Sequence, residues 1–128
     1  MGRTLSGLNI LVVEDAPDIR EVFTVLLHAE GADVVAVGTG REAIDAGRAH
    51  NFDIILSDLG LPDIPGDVLI RQMLHASRPR ACVVVITGYG EPFTSRARQA
   101  GADVVFTKPV EWTRVLDFLH QRRLPASA

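Results

Sequence analysis

The sequence predicts an α/β domain in which helices cover both faces of a parallel sheet, a doubly wound sandwich. Two observations carry this. Short apolar runs rich in β-branched residues recur five times in 128 residues, at 8–13, 34–37, 54–56, 82–86 and 104–106. They are mostly continuous rather than alternating, the pattern of strands buried on both faces. The segments between them are long enough for crossover helices, which parallel neighbours require. Alternation of strand and helix along a whole chain is the mark of this architecture.

Each helix has its own signal. The segment 17–30 carries Ile19, Val22, Phe23 and Leu26 at helical spacing, with Pro17 near its start and Gly31 as a stop. Further helices are expected over 41–50, 67–77 and 92–100, the last the least amphipathic. The final helix, about 111–123, places Trp112, Val115, Leu116 and Leu119 on one stripe. No repeat or low-complexity stretch interrupts the pattern. The ends, 1–7 and 125–128, are expected to fray, leaving one domain over 1–128 with a core from about 7 to 123.

Composition narrows the function. A net charge of -3 and a pI near 5.7 give no reason to expect direct nucleic-acid binding or attraction to an anionic membrane. No apolar run approaches the ~20 residues of a membrane helix, and MGRTLSG lacks a signal-peptide core, so a cytoplasmic location is expected. A single cysteine, Cys82, excludes an internal disulfide and a cysteine metal cluster. Of 13 basic residues only Lys108 is lysine, which either marks a place needing a compact ammonium or is chance.

In a doubly wound sheet, ligands bind at the carboxyl ends of the strands. Glu14-Asp15 follow the first predicted strand, Ser57-Asp58 the third, Thr87 the fourth and Thr107-Lys108 the fifth. Carboxylates brought together there repel: a pair ~4 Å apart costs about 4 kcal/mol at an effective dielectric of ~20. Protonation, hydration or a cation relieves this, and magnesium suits an all-oxygen site that keeps waters and phosphate oxygens. Taken singly, Asp15 and Asp58 read as turn or helix caps, Thr87 as a loop hydroxyl and Lys108 as a surface charge. Turn chemistry does not ask for acid, acid, hydroxyl and amine at successive strand ends, so the set favours a site.

These residues, together with Lys108-Pro109 and the loop Leu59-Gly60-Leu61-Pro62-Asp63-Ile64-Pro65-Gly66, resemble a response-regulator receiver domain over nearly all of the chain. The resemblance implies a five-stranded sheet in the order 2-1-3-4-5 and a place in a two-component phosphorelay. It implies Asp58 as phosphoacceptor from a histidine kinase or histidine phosphotransfer protein, an acyl phosphate formed by covalent catalysis. Mg²⁺ would be held by Asp15, Asp58 and the Gly60 carbonyl, with Glu14 acting through water. Lys108 would offset charge on the transferring oxygens, and Thr87 would bond the new phosphoryl group and move its loop. The Lys108-Pro109 bond would be cis. Such domains are not classical enzymes, although self-phosphorylation from small donors and slow self-dephosphorylation are expected. The resemblance leaves open a standalone relay or the receiver part of a longer kinase or regulator, and names no output partner.

Three features qualify the match. The family's inward-turning aromatic, three residues before the lysine, is Val105 here; Phe106 falls on the opposite face of the strand. In the family, the positions two beyond the acceptor and two beyond the hydroxyl flank the path of water to the phosphoryl group, and the resemblance puts Gly60 and Tyr89 there. His28, His50, His75 and His120 share no spacing that would make one a phosphoryl donor. A flavin protein is disfavoured because Glu14-Asp15 would repel a phosphate. A haloacid-dehalogenase-type phosphatase is disfavoured because Gly60 stands where its second aspartate belongs. A receiver-shaped scaffold acting by protein binding alone is the remaining alternative.

Overall fold

The computed structural model describes residues 5–76 and 80–123. Five strands, β1 (Asn9–Val13), β2 (Asp33–Val37), β3 (Ile54–Ser57), β4 (Cys82–Thr87) and β5 (Val104–Thr107), alternate with helices α1 (Pro17–Ala29), α2 (Gly40–Ala49), α3 (Gly66–Ala76), α4 (Phe93–Ala100) and α5 (Trp112–Arg123). All strand pairs are parallel and the order is β2-β1-β3-β4-β5. The predicted fold class and strand order therefore hold. Ser77, at the predicted end of α3, lies outside the described residues, as do 1–4 and 124–128.

Alternating side chains of each strand divide between two cores. Leu11, Val13, Ile55, Val83 and Val85 pack with Ala43, Leu69, Ile70, Met73 and Ala97 from α2, α3 and α4. Ile10, Val12, Ile54, Leu56, Val84 and Ile86 pack with Leu27 of α1 and with Val115 and Leu119 of α5. Burial on both faces holds for β1 from Ile10, and for β3 and β4 throughout. It does not extend to the edges: β2 and β5 are largely half-buried or exposed, since each has a neighbour on one side only.

Two expectations need correcting. The inward residue of α1 is Leu27, with Phe23 half-buried beside it, whereas Val22 is 53% exposed and Ile19 39%. Ile19, Val22, Phe23 and Leu26 share helical spacing but not one buried face, because the turns of this helix carry apolar residues on more than one face. Fraying does not reach Leu5 either. Leu5 is fully buried and its N–H donates to the Glu30 carbonyl at 2.9 Å, closing the end of α1.

Local chemistry sets the helix ends. Thr39 caps α2 by accepting the Glu42 N–H at 3.1 Å, and Glu42 accepts the Gly38 N–H at 3.1 Å in return, a reciprocal cap. The same helix start is held from across the fold. Asp63, in the loop after β3, takes the Gly40 and Arg41 N–H groups at 2.8 and 2.9 Å. Those N–H bonds, Arg41 first and then Gly40, hold the Asp63 carboxyl below its ordinary range. The loop also closes tightly: a Cβ on Gly66 would lie 2.8 Å from the Leu59 Cα, so only glycine fits there.

Candidate functional site

β1 and β3 are neighbours, and Val13 lies directly opposite Ser57. Glu14 and Asp58 therefore leave the sheet side by side, still tied to it. The Glu14 N–H donates to the Val37 carbonyl at 3.0 Å, and the Asp58 N–H to the Val13 carbonyl at 3.1 Å. On the far side of β3, the Lys108 N–H donates to the Thr87 carbonyl at 2.8 Å. Rigid strands, rather than loops, thus fix the starting points of these side chains.

Lys108 reaches back over the sheet edge. Its Nζ lies 3.2 Å from Asp58 Oδ2 and 3.8 Å from Glu14 Oε1. The other Asp58 oxygen, Oδ1, accepts the Leu59 N–H at 2.6 Å and the Gly60 N–H at 3.3 Å. Asp58 is thereby held by one ammonium and two amides, with its carboxylate partly open. The peptide bond between Lys108 and Pro109 is cis, as is that between Glu91 and Pro92.

Glu14 is 3% exposed. Its Oε2 accepts the Ala16 N–H at 3.1 Å, and its carbonyl accepts from Arg20 Nη1 at 2.9 Å. Burial, the first cause, raises its pKa to about 6; the Asp58 charge and the Asp15 carboxyl beside it add to this, against the Ala16 N–H and Lys108. Asp15 itself is exposed. Among the described residues, no three His, Cys, Asp or Glu side chains are placed to hold a metal ion by themselves. What the edge offers is an open, all-oxygen donor set with excess negative charge, which fits a hard cation that keeps several waters and does not fit a structural zinc site.

Thr87 is fully buried, and its Oγ1 accepts the Tyr89 N–H at 3.1 Å. Among the described residues this is the hydrogen bond its hydroxyl makes, as acceptor. Tyr89, 48% exposed, lays its ring on Gly60: a Cβ there would meet its Cε2 and Oη at 3.1 Å each. Val105 packs toward the α2–α4 side and Phe106 toward the α1–α5 side, edge-on to Phe118 with ring centroids 6.3 Å apart. The two do lie on opposite faces. Asp63, which joins the Asp58 loop to α2, was missed by sequence reasoning, since nothing local marks its partners 22 and 23 residues away.

Comparison with known proteins agrees with this geometry. The family model for the response regulator receiver domain matches residues 10–120. The cell cycle response regulator CtrA of Brucella ovis is 31% identical over 114 residues, covering 88% of this chain and 49% of that protein. The chain thus spans about half the length of the curated relatives it matches. A response regulator from Burkholderia pseudomallei, solved with a phosphorylated aspartic acid, calcium ion and citrate, is 28% identical with a TM-score of 0.79, over 85% of this chain and 64% of that one. The receiver domain of a sensor histidine kinase from Pseudomonas aeruginosa, with magnesium coordinated in its active-site cleft, is 26% identical with a TM-score of 0.80, over 91% and 97%. A five-stranded 2-1-3-4-5 sheet with acid, hydroxyl and amine at its carboxyl edge, matched over most of its length, places this chain in the response regulator receiver family, the phosphorylated signalling domains of two-component systems.

Proposed function

We propose that Asp58 accepts a phosphoryl group from a phosphohistidine on a kinase or phosphotransfer protein, with Mg²⁺ at the same sheet edge. The observation that carries this reading is the placement of the chain's only lysine, 3.2 Å from Asp58 Oδ2 and 3.8 Å from Glu14. An Asp58 oxygen attacks phosphorus and the P–N bond breaks, its electron pair going to a ring nitrogen; the donor imidazole leaves neutral, keeping the proton already on its other nitrogen. The strand-anchored backbone of Asp58 and its two loop amides orient the nucleophile, so positioning supplies much of the rate. Lys108 would neutralise an equatorial phosphoryl oxygen, and the Thr87 hydroxyl would donate to another once its loop moves. Asp15, Asp58 and the Gly60 carbonyl are the groups that would hold Mg²⁺, with Glu14 acting through water. When bound, the cation supplies charge neutralisation for the carboxylates and the transferring oxygens.

On this reading the chain is a cytoplasmic switch that charges itself from small donors and discharges slowly, either alone or within a longer kinase or regulator. Among the described residues, no helix is long and apolar enough to cross a membrane. The test is incubation with acetyl phosphate and Mg²⁺ followed by intact mass and a stability assay of the product. A single added phosphoryl group, lost in base or hydroxylamine, is expected for an acyl phosphate. An adduct that survives hydroxylamine would be a phosphoester and would overturn the assignment.

A further inference from the structure

A cleft of about 340 Å³ runs between the loop after β3 and the start of α4. Leu59, Leu61 and Pro65 contribute apolar surface from the loop, and Tyr89, Phe93 and Arg96 line it from α4 and the turn before it. Tyr89 and Phe93 are 48% and 46% exposed in a chain that is only 5% aromatic. Their ring centroids lie 5.2 Å apart, and the Arg96 guanidinium carbon sits 5.9 Å from the Phe93 centroid. Aromatics and arginine are the residues concentrated at the energetic centres of protein interfaces.

The charge balance says what would fit. Asp67 also lines the cleft, but Arg71 stands 3.7 Å from its carboxylate. Among the described residues, none of the ion pairs involves Arg96. The cleft therefore presents apolar walls and one guanidinium that no carboxylate neutralises. We propose that it docks a segment of a partner protein bearing a large apolar side chain next to a carboxylate. The apolar side chain lies against Leu61, Pro65, Tyr89 and Phe93, and the carboxylate pairs with Arg96. A nucleic-acid occupant is disfavoured, because a chain of net charge -3 repels a polyanion. Leu59 and Gly60 belong to both the cleft and the Asp58 loop.

Three short fluorescein-labelled peptides test this by anisotropy at low salt: alternating Leu and Asp, alternating Leu and Lys, and alternating Ser and Asp. Non-specific attraction to an acidic chain would favour the lysine peptide. The proposal instead expects the Leu/Asp peptide to bind roughly tenfold more tightly than either of the others. Arg96→Glu should invert the order of the Leu/Asp and Leu/Lys peptides, and Phe93→Ser should weaken Leu/Asp binding by about tenfold. Both side chains are exposed, so melting curves close to wild type are expected to accompany these changes. Absence of a Leu/Asp preference, or its survival in Arg96→Glu, would overturn the proposal. A second cleft lies between α2 and α3, lined by Ile44, Arg48 and His75 among others; loss of Leu/Asp binding in Arg48→Glu but not in Arg96→Glu would move the site there and overturn the proposal equally.

Discussion

The Tyr89 ring lies on Gly60 so closely that a Cβ added to the glycine would stand 3.1 Å from both Cε2 and Oη. Gly60 is also an amide donor to Asp58 Oδ1, so the ring covers the loop that holds the nucleophile. Hydrolysis of an acyl phosphate needs an aligned water, and misplacement by ~1 Å can cost on the order of a hundredfold. Phospho-Asp58 should accordingly outlive its counterparts in Tyr89→Ala and Tyr89→Glu, by roughly tenfold or more. Following phosphate release from the three proteins checks this. Equal decay rates would place Tyr89 on the recognition surface only.

Lys108 offers a sharp test because arginine is the chain's ordinary cation. Lys108→Arg preserves charge but replaces a compact ammonium by a planar fork, and the 3.2 Å contact to Asp58 leaves little room for it. Phosphorylation by a small donor should slow by about tenfold or more in the variant, with melting temperature nearly unchanged. Wild-type rates in Lys108→Arg would reduce the residue to a surface charge.

A pH effect follows from Glu14. Its folded pKa, near 6, lies above the ordinary 4.5, so the native state binds the proton more tightly than the unfolded chain does. Its contribution to stability is fully present below about pH 4.5 and is lost as pH rises through 6. The difference of the two values corresponds to roughly 2 kcal/mol of destabilisation once Glu14 is ionised. In chelator, Glu14→Gln should therefore be more stable than wild type above pH 6 by up to about that amount, and the two should converge below pH 4.5. Urea melts across that range decide the point. Parallel curves at all pH values would show that Glu14 ionises at no cost.

A cation should relieve the same crowding. Mg²⁺ is expected to raise the melting temperature by mass action, and Asp15→Asn, at the exposed end of the donor set, should blunt the rise. Trp112, 5.8 Å from Phe23 at the start of α5, supplies a fluorescence signal for the titration. Identical titrations of wild type and variant would remove Asp15 from the metal site.

Residue type and strand position make much of this legible in the sequence. Continuous β-branched runs located the buried strands, and the polar residue after each run fell at the sheet edge because a parallel sheet aligns its carboxyl ends. The opposite facing of Val105 and Phe106 followed from strand alternation alone. What stayed hidden depends on contacts between distant residues. Asp63 reaching the α2 amides and Leu5 closing α1 have no local pattern that announces them. The buried face of α1 is not legible from composition, because Ile19, Val22 and Val25 are as apolar as Leu27 and yet exposed.

The central claim is that Asp58 itself carries the phosphoryl group, and intact mass of wild type and Asp58→Asn tests it most directly. Both proteins would be incubated with acetyl phosphate and Mg²⁺ under the same conditions, and both should melt as folded domains. Wild type should gain one phosphoryl mass, and Asp58→Asn should gain none. An unlabelled wild type, or equal labelling of Asp58→Asn, would contradict the account.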